Sequence, residues 1–278
     1  MDILYNEKFN EFKDRYFPNI IGLKNVLHEL FSIYCMIQIN GVKEGFKIKN
    51  KKQALNMVFY GNPGTGKTTI ARKVAHLLKD LNYLSRGHLV EIDRSDLIGE
   101  YVGQTTIKTK KVLQEAKGGI LFIDEAYSLY NNEFVDYGNE AIDIMLKFVE
   151  DNHEDIVVIL AGYKEKITEM LDNNKGLSSR FPIQIEFKDY KVDDLYKIFI
   201  QLIEENEYLL DKKAEKSIYT LLKNKALENS NQLLSNGRYI RNLTEHIIRK
   251  HDMRVYLLNK LTLNDLKLIT DEDIKVQI

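Results

Sequence analysis

Between residue 55 and about residue 190 the chain alternates short, β-rich apolar runs with longer stretches in which apolar residues recur every three or four positions. The runs are 56–60 (NMVFY), 88–93 (HLVEID), 119–124 (GILFID), 156–161 (IVVILA) and 183–187 (IQIEF). The third and fourth are almost continuously apolar, the pattern of central strands covered on both faces. Between the runs, Ile70, Val74, Leu77, Leu78 and Leu81 fall on one helical face, as do Ala141, Ile142, Met145, Leu146 and Val149. Strand, helix, strand, repeated, predicts an α/β fold: a five-stranded parallel sheet with right-handed crossovers and flanking helices.

Beyond Asp189 and Tyr190 the period becomes helical only. Leu195, Ile198, Phe199 and Leu202 form one stripe, Ile218, Leu221 and Leu222 a second, and Ile240, Leu243, Ile247 and Ile248 a third. This predicts two domains: residues 1–190, holding N-terminal helices and the sheet, and residues 191–278, a small all-helical domain. Residues 1 to about 50 read as helices flanking the sheet. Within them the run 26–39 (VLHELFSIYCMIQI) carries the single cysteine, Cys35, expected as a small buried thiol.

Composition narrows the function classes. Lys and Arg total 40 against 41 Asp and Glu, a net charge of -1, so no global field draws the chain to nucleic acid or to an acidic membrane. The densest basic run, 43–52 (KEGFKIKNKK), reads as a solvated connector. One cysteine cannot form an internal disulfide, the N-terminal residues lack the pattern of a signal peptide, and no apolar run reaches the length of a membrane span. A cytoplasmic protein is expected. The 6 histidines are scattered, without metal-ligand spacing, so no structural zinc is expected.

Directly after the first run and before a helical pattern stand Gly61, Asn62, Pro63, Gly64, Thr65, Gly66, Lys67 and Thr68, which match G-x-x-x-x-G-K-[ST]. In such a phosphate loop the glycines let successive N–H groups converge on phosphate oxygens, and the following helix adds its positive end. Lys67 is expected to reach the β and γ phosphates of ATP and Thr68 to offer its hydroxyl to Mg²⁺, with Thr69 completing the nucleotide-binding segment.

The third run ends in Asp124 and Glu125, at the carboxyl end of a central strand, where ligands bind in open parallel sheets. Neighbours on an extended chain point to opposite sides, so the two carboxylates can do different work. Asp124 is expected to order the Mg²⁺ shell and Glu125 to polarise a water toward the γ-phosphate. That pairing favours an ATP hydrolase over a phosphoryl transferase.

The stretches GNPGTGKTTIAR, GHLVEIDRSDLIGEYVGQT, GGILFIDEAYSLY, DYGNEAID, IVVILAGYKEKI, GLSSRF and NGRYIRNL, in this order over residues 20 to 250, resemble the AAA+ ATPases, and within them the CbxX/CfqX family. The resemblance implies a P-loop ATPase domain followed by a helical lid, assembled as a homo-hexameric ring that pulls on a protein substrate. It implies that Arg180 in GLSSRF is an arginine finger completing a neighbour's γ-phosphate site, and that Arg238 in NGRYIRNL is the lid's sensor arginine, with Arg241 on the same helix face. Where many AAA+ proteins carry Asn or Thr as a first sensor, this sequence offers Tyr163. Gly22, with Ile20 and Ile21, resembles the element near the adenine pocket. The sporulation branch is the nearest resemblance, and Rubisco activation is the alternative within the family.

In 99–105 (GEYVGQT) an aromatic and a β-branched residue sit between glycines, outside any periodic run. In the resembling family this segment lines the central channel, which implies that Tyr101, Val102 and Gly103 grip the translocating chain. Readings from other classes are a small-molecule kinase, which predicts a monomer active without Arg180, and a nucleic-acid loader, which predicts stimulation by DNA and strong salt dependence. Neutral net charge opposes the loader, and Glu125 opposes the kinase.

Overall fold

Strands β1 (Met57–Gly61), β2 (Leu89–Ile92), β3 (Ile120–Ile123), β4 (Val157–Gly162) and β5 (Ile183–Phe187) pair side by side in the order β2-β3-β4-β1-β5, every neighbouring pair parallel. The structure is a computed structural model that describes residues 2–49, 53–99, 101, 103–130, 137–228 and 235–275. It divides into two compact units, Met1–Gly61 with Gly66–Phe187, and Asn62–Thr65 with Lys188–Ile278.

In the first unit, parallel neighbours require crossovers, and helices supply them. The helices of this unit are α1 (Asp2–Tyr16) and α2 (Lys24–Gly45), which precede β1, and then, between the strands, α3 (Lys67–Asp80), α4 (Arg94–Leu97), α5 (Gln104–Ala116), α6 (Tyr137–Asn152), α7 (Lys164–Asn173) and α8 (Lys175–Arg180). Every residue of β3 and β4 is buried, whereas β2 at the edge leaves Glu91 exposed, so the continuous and broken apolar runs map onto central and edge strands. On one face Val58, Leu121, Ile123, Val158 and Leu160 pack against Leu113 of α5, Ile142 and Met145 of α6 and Ile167 of α7. On the pleat's alternate positions Phe59 meets Phe187 at 4.9 Å between ring centroids, both buried. Burying a side chain of that size contributes about 1.5–3 kcal/mol.

Helix α2 buries the stripe Val26, Leu27, Leu30, Phe31 and Ile33 and packs beside α1 and β5. Cys35 lies off that stripe and is exposed, contrary to the burial expected from the run around it. An apolar run longer than one helical turn must place some members outside the buried face. No described helix is long and apolar enough to cross a membrane.

The second unit is built on α9 (Val192–Glu205), α10 (Lys212–Leu227) and α11 (Asn236–Tyr256), followed by α12 (Leu263–Lys267) and α13 (Asp271–Ile274). Its core holds Leu195, Phe199, Ile218, Leu222, Ile240, Leu243 and Ile247 from the three helical stripes, joined by Ile203 and closed by Ile269 and Ile274, while the stripe residues Ile198, Leu202, Leu221 and Ile248 are partly buried against it. Strands β6 (Leu209–Leu210) and β7 (Leu268–Ile269) add a short parallel pair to the helical frame. Beneath it Arg254 forks onto Asp273, Nε to Oδ1 at 2.8 Å and a terminal nitrogen to Oδ2 at 3.0 Å.

Candidate functional site

The carboxyl end of the sheet collects the phosphate loop and the paired acids. Strand β1 ends at Gly61, where φ is 155° and an added Cβ would lie 2.2 Å from the Phe187 carbonyl oxygen of β5. A side chain there would force β1 and β5 apart. Gly66, at φ 94°, turns the chain into α3, whose first turn contains no acidic residue. The positive end of this helix therefore has no carboxylate of its own to offset it, an arrangement suited to an anion. Lys67 is the first residue of α3, and its ammonium donates to the Gly61 carbonyl at 2.8 Å, bringing its charge back across the loop. Thr68 is half-buried and Thr69 exposed on the same turn.

Two strands away from β1, β3 delivers Asp124 and Glu125 to the same end of the sheet. The Asp124 N–H donates to the Ile92 carbonyl at 2.9 Å, extending the ladder by one bond. Glu125 leaves it: φ 47° and ψ 41° place it in the left-handed region, and its N–H donates to Asp124 Oδ1 at 3.0 Å. The two carboxylates are thus separated by a left-handed turn rather than by the alternation of a pleated strand expected from sequence. A non-glycine residue held there costs on the order of 1 kcal/mol, and such strain clusters at functional sites. Asp124 is half-buried and Glu125 exposed. Tyr163 follows β4, the strand between β1 and β3, with its ring 6.1 Å from that of Tyr127. Gly22 has φ 66° and precedes α2, with Ile20 and Ile21 half-buried beside it.

Arg180 lies at the other end of the sheet. Asn56, just before β1, donates to the Arg180 carbonyl at 3.1 Å, and the guanidinium meets Glu150 Oε2 at 2.6 Å and the Gly176 carbonyl at 3.5 Å. The pairing holds the Glu150 carboxyl below the usual carboxylate range, through the hydrogen bond first and the charge second. The structure does not bring Arg180 to its own phosphate loop.

Between α4 and α5, Tyr101 is 68% exposed. Its carbonyl accepts the Gln104 N–H at 3.1 Å, and the Gly99 N–H donates to the buried Thr105 hydroxyl at 3.1 Å, so both ends of the segment are tied while the ring faces outward. Gly103 has φ 82° and open space around it. Val102, expected beside Tyr101 in the same role, lies outside the described residues.

The tip of the phosphate loop, Asn62–Thr65, belongs to the second unit. Gly64, at φ 72°, accepts the Gly237 N–H on its carbonyl at 3.0 Å, and a Cβ at this position would fall 2.2 Å from the Ser235 carbonyl oxygen and 2.7 Å from the Arg238 nitrogen. Asn62 donates to Asp189 at 2.9 Å, Asn236 donates to the same carboxylate at 2.7 Å, and the Tyr190 hydroxyl donates to the Thr65 carbonyl at 3.2 Å. Arg238 and Arg241 lie on the first turns of α11, and both are exposed. Sequence reasoning missed Asp189, Tyr190 and Asn236. Its one available signal was the Asn236–Gly237 pair, since Asn tolerates the positive φ of 48° that Asn236 adopts.

Known proteins share both the motifs and the architecture. Residues 57–189 match the family described as "ATPase family associated with various cellular activities (AAA)", and residues 191–278 match an AAA lid domain. The chain is 42% identical over 258 residues to stage V sporulation protein K of Bacillus subtilis (strain 168), spanning 93% of this chain and 80% of that one. It is 38% identical over 260 residues to protein CbbX of Cereibacter sphaeroides, spanning 92% and 83% respectively. Among solved structures, a point mutant of RuvB from Thermotoga maritima superposes with a TM-score of 0.57 at 18% identity, covering 89% of this chain and 69% of the other, a likeness of fold.

Proposed function

The chain belongs to the AAA family of ATPases, in its CbxX/CfxQ branch, and from that membership we propose that this ATP-hydrolysing enzyme is a ring-forming motor that pulls on a segment of another protein. Residues 1–190 act as the ATPase domain with its N-terminal helices, and residues 191–278 as the lid. The phosphates lie against backbone N–H groups of residues 64–69, with Lys67 compensating their charge and Arg238 reaching the nucleotide from the lid. Thr68 and Asp124 hold Mg²⁺, which when bound neutralises charge developing on the phosphates. Glu125 polarises the attacking water.

What carries the ring reading is the polarity of the sheet. Arg180 is tied to Asn56 at the amino end of β1, and the phosphate loop begins at Gly61 at its carboxyl end, roughly 16 Å away at a strand's rise per residue. One copy cannot bring this guanidinium to its own phosphates, whereas a neighbouring copy can, and a guanidinium supplied in trans makes hydrolysis depend on assembly. The exposed, glycine-flanked Tyr101 supports contact with substrate by apolar area that any sequence can offer. Light scattering with and without ATP tests the reading: a six-fold mass with ATP is expected, and a monomer under every nucleotide condition overturns it.

For the cellular role, the similarity to stage V sporulation protein K supports a part in sporulation. A second reading is Rubisco activation, favoured by the relative named ribulose bisphosphate carboxylase/oxygenase activase from Cyanidioschyzon merolae. Stimulation of ATP hydrolysis by inhibited Rubisco would select the second.

A further inference from the structure

Arg180 ends α8, and its backbone is pinned on both sides. The Phe181 N–H that follows it donates to the Leu177 carbonyl at 3.0 Å, and the Phe181 ring is buried. The Arg180 carbonyl accepts from Asn56 Nδ2 at 3.1 Å, while Asn56 Oδ1 accepts the Val158 N–H of β4 at 2.9 Å. Asn56 is itself buried, so one amide ties the end of α8 to the frame of the sheet. At the start of α8, Asn174 Oδ1 accepts the Leu177 N–H at 3.1 Å. A Cβ on Gly176 would lie 3.2 Å from Leu146 Cδ1, so the missing side chain lets α8 settle closely against α6.

These contacts fix the backbone of Arg180 and leave its long side chain a choice among many rotamers. Glu150 narrows that choice. It stands on the last turn of α6, next to the buried Val149 that holds this helix to the core, and its Oε2 accepts from a terminal nitrogen of Arg180 at 2.6 Å. The other terminal nitrogen points to the Gly176 carbonyl at a long 3.5 Å. The carboxylate takes one nitrogen rather than both, so further N–H groups of the guanidinium fork remain for an oxygen from outside the chain. With 35% of its side chain exposed, Arg180 can meet such an oxygen. A cation that acts on a transition state is most effective when it is held in place beforehand, because the reaction then does not have to order it.

We propose that Glu150 is a positioning residue for ATP hydrolysis in the neighbouring copy: from α6 it holds the Arg180 guanidinium in the direction in which it is offered. This role rests on the assignment of Arg180 as a finger acting in trans. Glu150→Ala removes the bond and leaves the tied backbone of Arg180 as it is. The expected result is a fall of about tenfold in kcat, the scale of a lost hydrogen bond to a charged group. The measured affinity for ATP stays within about twofold, because Glu150 stands at the end of the sheet away from the phosphate loop, and the melting temperature is unchanged, because a pair this exposed contributes little. Mixed rings give a readout that a merely structural role would not move. Lys67→Ala subunits, which keep both Arg180 and Glu150, should raise turnover per Glu150→Ala subunit severalfold, whereas Arg180→Ala subunits, which offer no finger, should not. Rescue by both partners or by neither overturns the proposal, as does a Glu150→Ala turnover equal to or above that of the wild type. Arg180→Ala, measured alone, separates the two possible failures. If it hydrolyses ATP at the wild-type rate, the role given to Arg180 has failed; if it is inactive while Glu150→Ala is fully active, only the positioning by Glu150 has.

Discussion

Arg180 and Glu150 meet at 2.6 Å at the end of the sheet opposite the phosphate loop, with 35% of the arginine side chain and 65% of the glutamate side chain exposed. An ion pair this open to water contributes little to stability, so Arg180→Ala is expected to fold with an unchanged melting temperature. Its hydrolysis should nonetheless fall at least about a hundredfold, given what an arginine finger supplies to phosphoryl transfer. Mixing Arg180→Ala with Lys67→Ala subunits should restore part of the rate, because each lacks a different half of a shared site. Absence of rescue at every mixing ratio would argue against a finger acting in trans.

Lys67 and Glu125 separate binding from hydrolysis. Lys67→Ala removes the only side-chain cation within residues 61–69 and should abolish productive ATP binding in a calorimetric titration. Glu125→Gln keeps the shape of the side chain and loses its charge, so ATP should still bind while turnover drops by about two to four orders of magnitude. Accumulation of the ATP-bound ring in this variant would be seen by light scattering. Wild-type turnover would remove Glu125 from the chemistry.

Tyr101 is 68% exposed, and the backbone bonds that tie its segment run through Gly99, Gln104 and Thr105 rather than through its ring. Tyr101→Ala should therefore leave the melting temperature and basal ATP hydrolysis intact while abolishing the unfolding or displacement of a protein substrate. A marked fall in stability would instead identify the ring as packing material.

The alternation of apolar runs located the strands to within one or two residues, because a central parallel strand has no polar position to blur its ends. The 156–161 run became Val157–Gly162 and the 119–124 run Ile120–Ile123. The order of the strands was not legible, since nothing in the period of β1 says that it inserts between β4 and β5. At the candidate site the phosphate loop and the acids were visible as local motifs, and the sheet delivers Gly61, Lys67 and Asp124 to its carboxyl end. What escaped depends on contacts distant in sequence or on single dihedral angles. The tie from Gly64 to Gly237 spans most of the chain, and the left-handed turn at Glu125 carries no signature because glutamate rarely adopts it.

Asp273 offers a test of the second unit that does not involve nucleotide. Its carboxylate is 2% exposed, accepts two bonds from Arg254 and accepts the Thr270 N–H at 2.8 Å. Burial alone would raise its pKa; the bonds from Arg254 and Thr270 outweigh burial and hold it below the ordinary carboxylate range. A folded pKa below the unfolded one gives stability that is complete above about pH 4 and is lost as pH falls through the folded value. Arg254→Met leaves the buried charge without its partner, which should cost about 3 kcal/mol at neutral pH in urea denaturation of the full chain. In that variant burial acts unopposed and Asp273 takes up a proton more readily, which relieves the unpaired charge. The stability gap between wild type and Arg254→Met should therefore narrow as pH falls from 7 toward 4, and a gap that stays constant over that range would show that Asp273 is not the group responding to Arg254.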